Sequence, residues 1–292
     1  MLHEVWVTGS VVGAARALHV TTSAISQQMA RLERETGQRL AERQGRGIRL
    51  TEAGARLARD AAGLLSHVEQ VETSLAARAD AVTGTIAIAA FATAARGLLP
   101  DALRDLRSRH PDLSARLSEQ EPHQAIPALS RGHLDVAVVQ DWADDTLSVP
   151  ESLSRQDLLD DLFDVALPAG HPLAGRDRVA IGELAGDDWI SWSAGEICHD
   201  WLVRTLRAHG AEPHIAHTAS EHSTQLALVA AGLGAAVIPR LGREPAPPAI
   251  RFVPLDPAPA RSIFALWRAS ATARPAIRAT LGALGRRCAA GT

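Results

Sequence analysis

The chain has 292 residues, room for two or three domains at roughly 100–200 residues each. Hydrophobic residues make up 46% and charged residues 22%, which supports a sizeable core and excludes wholesale disorder. No apolar run approaches the roughly 18 residues of a spanning helix. The start, Met1-Leu2-His3-Glu4, lacks the basic-then-apolar order of a secretory leader. Cys198 and Cys288 are too few and too far apart for a disulfide framework. The expectation is a soluble, cytoplasmic protein without membrane contact. The net charge of −3 does not by itself point to nucleic acid, and all 30 basic residues are Arg, a bias that fits GC-rich codons better than any site. The charge is unevenly spread, however. Residues 1–59 hold nine Arg and five Glu, a net +4, so the remainder carries −7.

In chain order, Leu2, Val5 and Trp6 predict a short helix stopped by Gly9. Ser10 is a good N-cap for a second helix that buries Val11, Ala14, Ala15 and Leu18 and ends near His19. After a tight connection at Val20-Thr21-Thr22, a third helix places Ala24, Ile25, Met29 and Leu32 at helical spacing and stops at Gly37. Two short helices joined by a tight turn predict a helix-turn-helix, whose second helix enters the major groove. The groups offered there are Thr21, Thr22, Ser23, Ser26, Gln27 and Gln28, with Arg31 one turn on. Hydroxyls and amides read base edges, and Gln makes a bidentate contact with adenine. Arg43, Arg46 and Arg49 lie in or beside a Gly-punctuated hairpin, Gln44-Gly45-Arg46-Gly47-Ile48-Arg49-Leu50, which predicts a wing resting on the phosphate backbone. A polar helical hairpin used only for partner binding is the blander reading of the same stretch.

A turn-free segment runs from Thr51 to about Ala81. Leu57, Ala61, Leu64, Val68, Val71 and Leu75 follow a heptad spacing, which predicts a linker helix that dimerises the chain. Beyond Val82-Thr83-Gly84, short apolar strands (85–90, 113–117, 134–139, 162–167, 189–192, 214–218, 235–238, 263–267) alternate with helices (100–110, 124–131, 199–209, 223–231, 274–287). Alternation of this kind predicts a mostly parallel sheet with helices on both faces. The overall expectation is an α/β chain. Residues 1–54 form a winged helix-turn-helix, 55–83 a linker helix, and 84–292 a two-lobed, periplasmic-binding-protein-like effector domain. Its first lobe spans 84–162 and 262–292, its second 163–261.

Ligands of open α/β sheets sit outside the carboxyl ends of the strands. Glu119 and Gln120 end the second of these strands, and Asp141 sits beside the candidates at the end of the third. The candidate cleft residues are Thr93, Gln140, Trp142, Ser191, Trp192, Ser193, His222, Ser223 and Thr224. Hydroxyls at helix starts suit a carboxylate and the Trp rings an apolar body, so a small organic acid, an aromatic one included, is the expected effector. The competing reading makes these hydroxyls simple helix caps and the Trp residues core. Gly232-Leu233-Gly234 precedes a strand rather than opening a helix and is no dinucleotide loop. His209, His214, His217 and His222 fit no zinc spacing, Cys198 has no nearby resolving thiol, and no nucleophile motif is present, so neither metal, cofactor nor catalysis is expected.

The head as a whole, with Ser10, Ala14-Ala15, Leu18, Ser26, Leu32-Glu33, Gly37, Leu40, Arg43, Leu50-Thr51 and Ala53-Gly54 in order, resembles the LysR-type transcriptional regulators over about fifty residues. His-Pro-Leu at 171–173 and Val229-Ala230-Ala231-Gly232-Leu233-Gly234 before Pro239 are similar to motifs of that family's effector domain. The resemblance implies a homodimer or homotetramer on a double-stranded DNA operator, an effector between the lobes, and contact with RNA polymerase. Two features depart from the family. The helix before Leu2 is short, as it would be if translation began upstream of Met1, and Ala41 stands where a bulky apolar residue, often Phe, is usual. Both remove buried area from the head. A cytoplasmic solute-binding or enzymatic α/β protein with a helical dimerisation arm is the alternative to a regulator.

Overall fold

The computed structural model describes residues 1–44, 47–61, 63–64, 82–142, 146–243 and 247–290. The head opens with α1 (Leu2–Thr8), α2 (Val11–Ala17) and α3 (Thr22–Thr36). Each boundary has a local cause. Gly9 ends α1 in the left-handed region (φ 62°) and returns its N–H to Val5. Ser10 Oγ accepts from the Gly13 N–H at 2.8 Å, and Thr21 Oγ1 accepts from Ala24 at 3.2 Å. Leu2, Val5, Ala14, Ala15, Ile25, Met29, Leu40 and Ala58 form the head's core. Leu18, expected inside, is 36% exposed, because α2 ends at Ala17 and Leu18 is already its cap. Strands β1 (Ala41–Gln44) and β2 (Gly47–Leu50) pair antiparallel as the wing, Ala41 opposite Leu50. Residues 52–61 form α4. Leu57 of the expected dimer seam packs against the head itself, whereas Leu64 is 71% exposed. Val68, Val71 and Leu75 lie outside the described residues.

The body is built on β3 (Gly84–Ala90), β4 (Leu113–Glu119), β5 (Val136–Trp142), β6 (Leu153–Pro168), β7 (Asp188–Ser191), β8 (His214–Thr218), β9 (Ala236–Pro239), β10 (Ile250–Pro254) and β11 (Ala260–Arg268). The helices are α5 (Ala92–Gly97), α6 (Leu99–Arg109), α7 (Pro122–Ser130), α8 (Ile197–Ala208), α9 (His222–Ala230) and α10 (Pro275–Ala290). The large sheet runs β10-β6-β11-β5-β3-β4, with β9 also on β6. It is mixed rather than mostly parallel. Strand β3 is parallel to β4 and β5, but β11 is antiparallel to both β5 and β6. The reason is topological: the chain leaves the first lobe on β6 and returns on the adjacent β11, and neighbouring outward and return strands must run oppositely. The strand expected at 162–167 is thus the far end of one 16-residue strand. Up to Leu162 it pairs β11, and from Phe163 onward it pairs β9 and β10.

Separate apolar cores follow from this division. One joins Ile86, Ile88, Leu99, Leu106, Ile277 and Leu284 under β3, α6 and α10. Another joins Phe163, Val165, Trp189, Trp201, Leu202 and Val237 in the second lobe. Trp142 ends a first-lobe strand yet packs into that second core, and Leu241 packs back onto the first. Both residues sit where the lobes meet. Among the described residues no helix is long and apolar enough to cross a membrane.

Candidate nucleic-acid interface and effector cleft

The helical period of α3 turns Ile25 and Met29 inward and places Ser23, Gln27 and Arg31 on the opposite face, with Ser26 and Gln28 flanking them; all five are exposed, as are Thr22 in the first turn and Thr21 at the cap. Thr21 and Ser23 share a hydroxyl hydrogen bond of 2.9 Å, and Ser26 donates to the Thr22 carbonyl at 3.0 Å. Arg31 is held by Glu35 at 2.8 Å, a solvent-exposed pair that a phosphate can displace at little cost. Arg49 is exposed on β2; the side chain of Arg43 and all of Arg46 fall outside the described residues.

The wing is fixed by residues whose roles the sequence did not disclose. Glu33 Oε1 accepts from the Leu40 and Ala41 N–H groups at 2.8 and 3.1 Å, tying the end of α3 to the start of β1. Thr51 donates its hydroxyl to Arg39 O at 2.7 Å and its N–H to Leu40 O at 3.0 Å. Gly54 lies so close that a Cβ there would meet Leu40 O at 2.0 Å, which only glycine avoids.

In the body, Thr93 and Gln140 share one partner, Arg261, which in the sequence is one arginine among many. Arg261 is 2% exposed and lies between the Phe91 and Phe163 rings, 5.0 Å from each centroid. It donates to Asp161 Oδ2 from Nε (3.0 Å) and Nη2 (2.7 Å), to Thr93 Oγ1 from Nη2 (2.7 Å), and to Gln140 Oε1 from Nη1. Asp161 also accepts from the Leu241 N–H at 2.8 Å, so the pair reaches into the loop after β9. Removing one member of such a buried pair costs about 3–5 kcal/mol.

Facing Thr93 and Arg96 across the interlobe gap are His222, Ser223 and Leu226 of α9, around a cavity of about 10 Å³, room for one water. The lobes touch beside it. Arg96 Nε donates to Gly242 O at 2.6 Å, and a Cβ on Gly97 would lie 2.5 Å from the Gly242 nitrogen. His222 packs edge-on against Trp192 at 5.4 Å, and its Nε2 is buried without a partner. Burial, then Arg261 and Arg96, push the His222 pKa down to about 3, so the ring is neutral.

The remaining candidates are scattered. Ser191 is fully buried beside His199 (3.4 Å). Ser193 and Thr224 are exposed. Trp142 stacks on Trp201 at 4.5 Å and against Phe163 at 4.8 Å, so its ring faces are already covered. Cys198 is buried, and desolvation pushes its thiol up to about 12.

A winged helix-turn-helix with a polar, exposed recognition helix, joined to a two-lobed ligand-binding body, defines a ligand-responsive DNA-binding protein. Two family models agree: "Bacterial regulatory helix-turn-helix protein, lysR family" matches residues 1–55, and "LysR substrate binding domain" matches residues 79–289. The chain belongs to the LysR family; it is a DNA-binding transcriptional regulator with an effector-binding domain, not an enzyme. It is 31% identical to the HTH-type transcriptional regulator TtuA of Agrobacterium vitis over 244 residues, 83% of this chain and 79% of that protein. It is 29% identical to a hydrogen peroxide-inducible genes activator of Pectobacterium carotovorum subsp. carotovorum, across 87% of this chain and 84% of that one. Its fold superposes on a variant of full-length OxyR from Pseudomonas aeruginosa with a TM-score of 0.67 at 22% identity, covering 97% and 95% of the two chains.

Proposed function

We propose that this regulator acts in the cytoplasm as a homodimer, or a pair of dimers, on an interrupted dyad operator. Thr21, Thr22, Ser23, Ser26, Gln27, Gln28 and Arg31 meet bases and flanking phosphates, and Arg43, Arg46 and Arg49 hold the backbone. Residues Ala61 and Leu64, continuing through Val68, Val71 and Leu75, pair the linker helices; the exposure of Leu64 supports this. The effector, a small organic acid, enters between Thr93 and Gln140 of one lobe and His222 and Ser223 of the other. Domain boundaries near 54 and 84 separate the two tasks. The observation that carries the reading is a small cavity of about 10 Å³ walled by both lobes: a ligand larger than water seated there parts the lobes, and differential affinity for the parted arrangement couples ligand to DNA. A gel shift on the gene's own upstream region, with and without organic acids, tests it. Selective retention that a cleft ligand alters is expected.

Thiol-based sensing of peroxide, suggested by the name of one relative, finds no support in Cys198. Peroxide reacts with an accessible thiolate, and this thiol is buried, protonated and without a second cysteine on its lobe.

A further inference from the structure

Resting on the cleft reading above, we propose that Arg261 is the positioning residue of the effector site. By taking up the acceptor atoms of Thr93 and Gln140, it leaves both side chains to meet the ligand as hydrogen-bond donors, so the cleft selects a carboxylate over an ammonium or amidinium group.

A guanidinium has five N–H donors and no acceptor, so whatever hydrogen-bonds to it must present an acceptor, which for Gln140 and Thr93 is the side-chain oxygen. Gln140 therefore turns Oε1 toward Arg261, which fixes its amide orientation. The Gln140 Nε2 hydrogens have no partner among the described residues. Thr93 Oγ1 accepts from Nη2 at 2.7 Å, and its hydroxyl hydrogen likewise has no acceptor there. Both side chains are almost wholly buried, at 4% and 2% exposure, but Gln140 Nε2 is not among the sealed, partnerless polar atoms, so it stays accessible to a small solute. The wall agrees in sign. Arg96 and Arg243 line the small cavity beside Thr93, and among the described residues no carboxylate does. Asp161, which is ion-paired with Arg261, spends Oδ2 on it and Oδ1 on the Leu241 N–H. His222 adds a buried, unpartnered Nε2 from the opposite lobe, on a ring that burial and the two arginines keep neutral. An acceptor-bearing anion satisfies the Thr93 and Gln140 donors, whereas a cation meets N–H and O–H groups there; Glu121, within electrostatic reach of Arg261 and Glu196, is not on the wall of that cavity.

The test uses the full chain and two isosteres, acetate and acetamidine, titrated while the Trp192 indole NMR signal reports on the cleft. The parent is expected to bind acetate at least about tenfold more tightly than acetamidine. In the double variant Asp161→Asn with Arg261→Gln, which removes the ion pair without leaving a lone buried charge, the amides are free to turn and the ratio should fall to about threefold or less. A merely structural role for Arg261 would weaken both probes together and leave the ratio unmoved. If the double variant does not fold, Thr93→Val and Gln140→Glu decide the matter: the first should weaken acetate alone, the second should reverse the preference. A parent that binds acetamidine as well as acetate, or a ratio untouched in the variants, overturns the role of Arg261 while the cleft reading stands. Failure of both probes to perturb Trp192, with DNA binding intact, overturns both.

Discussion

Glu33→Ala probes how the head is held together. Glu33 Oε1 takes two backbone N–H groups, Leu40 at 2.8 Å and Ala41 at 3.1 Å, and so joins the C-terminal turn of the recognition helix directly to the first wing residues. Hydrogen bonds to a charged group net about 1.5–3 kcal/mol each when shielded. Glu33 is only half-buried, so the pair is worth about 2 kcal/mol after solvent screening. If the wing must be docked to reach phosphate, that energy corresponds to roughly thirtyfold in operator affinity. Glu33→Gln keeps an acceptor oxygen but loses the charge, and should cost only about threefold. The N-terminal half of α3 is untouched, so base preference should survive in both variants. Fluorescence anisotropy of the full chain on a labelled operator fragment and on a base-substituted control measures both quantities. Affinity within about twofold of the parent for Glu33→Ala would refute the wing-anchor reasoning, as would a changed base preference.

Alanine at Gln27 or Ser26 should relax base preference, whereas alanine at Arg43 or Arg46 should weaken all sequences and reduce the slope of log affinity against log salt by about 0.9 for each phosphate no longer neutralised; competition binding at several salt concentrations separates the two. Gly97→Ala must push α5 off Gly242, since the added Cβ would lie 2.5 Å from its nitrogen, and should lower the denaturant midpoint by the equivalent of about 1–3 kcal/mol. Cys198 should resist a thiol reagent at pH 8 until the chain unfolds, and peroxide should leave operator affinity unchanged; rapid labelling of the native protein at Cys198 would contradict its burial. His222 sits at about 3 in the folded chain against 6.5 unfolded. Above pH 6.5 both states are neutral and nothing is lost. As pH falls toward 3 only the unfolded state binds the proton, so stability should drop by up to about 1.4 kcal/mol per pH unit, a slope that His222→Gln should reduce.

Much of the head is legible in the sequence because its signals are local. Gly9, Ser10, Thr21 and Gly37 punctuate the helices through backbone geometry and caps that any sequence displays. Glu33 and Gly54 are visible as letters in a familiar order but not as physics, since their partners, the backbone of Leu40 and Ala41, come from contacts across the fold. In the body, alternating strands and helices announce an α/β class. The antiparallel return of β11 beside β6 is hidden, because strand pairing is non-local, and of the 16-residue strand that changes partners midway only the far apolar end, 162–167, stands out in the sequence. The same limit conceals Arg261. Thr93, Gln140 and Asp161 are 168, 121 and 100 residues away from it in sequence and meet only when the first lobe's sheet assembles around β11. Trp142 reads as a cleft residue because it ends a strand; its ring instead fills the second lobe's core against Trp201.

The most direct test of the central claim, that the head reads duplex DNA as a symmetric pair, is to incubate the purified chain with sheared genomic DNA at moderate salt and sequence what it retains. The account predicts enriched fragments sharing an interrupted dyad whose half-sites lie about one helical turn, or a multiple of it, apart. Retention without any common sequence, or none even at low salt, would contradict it.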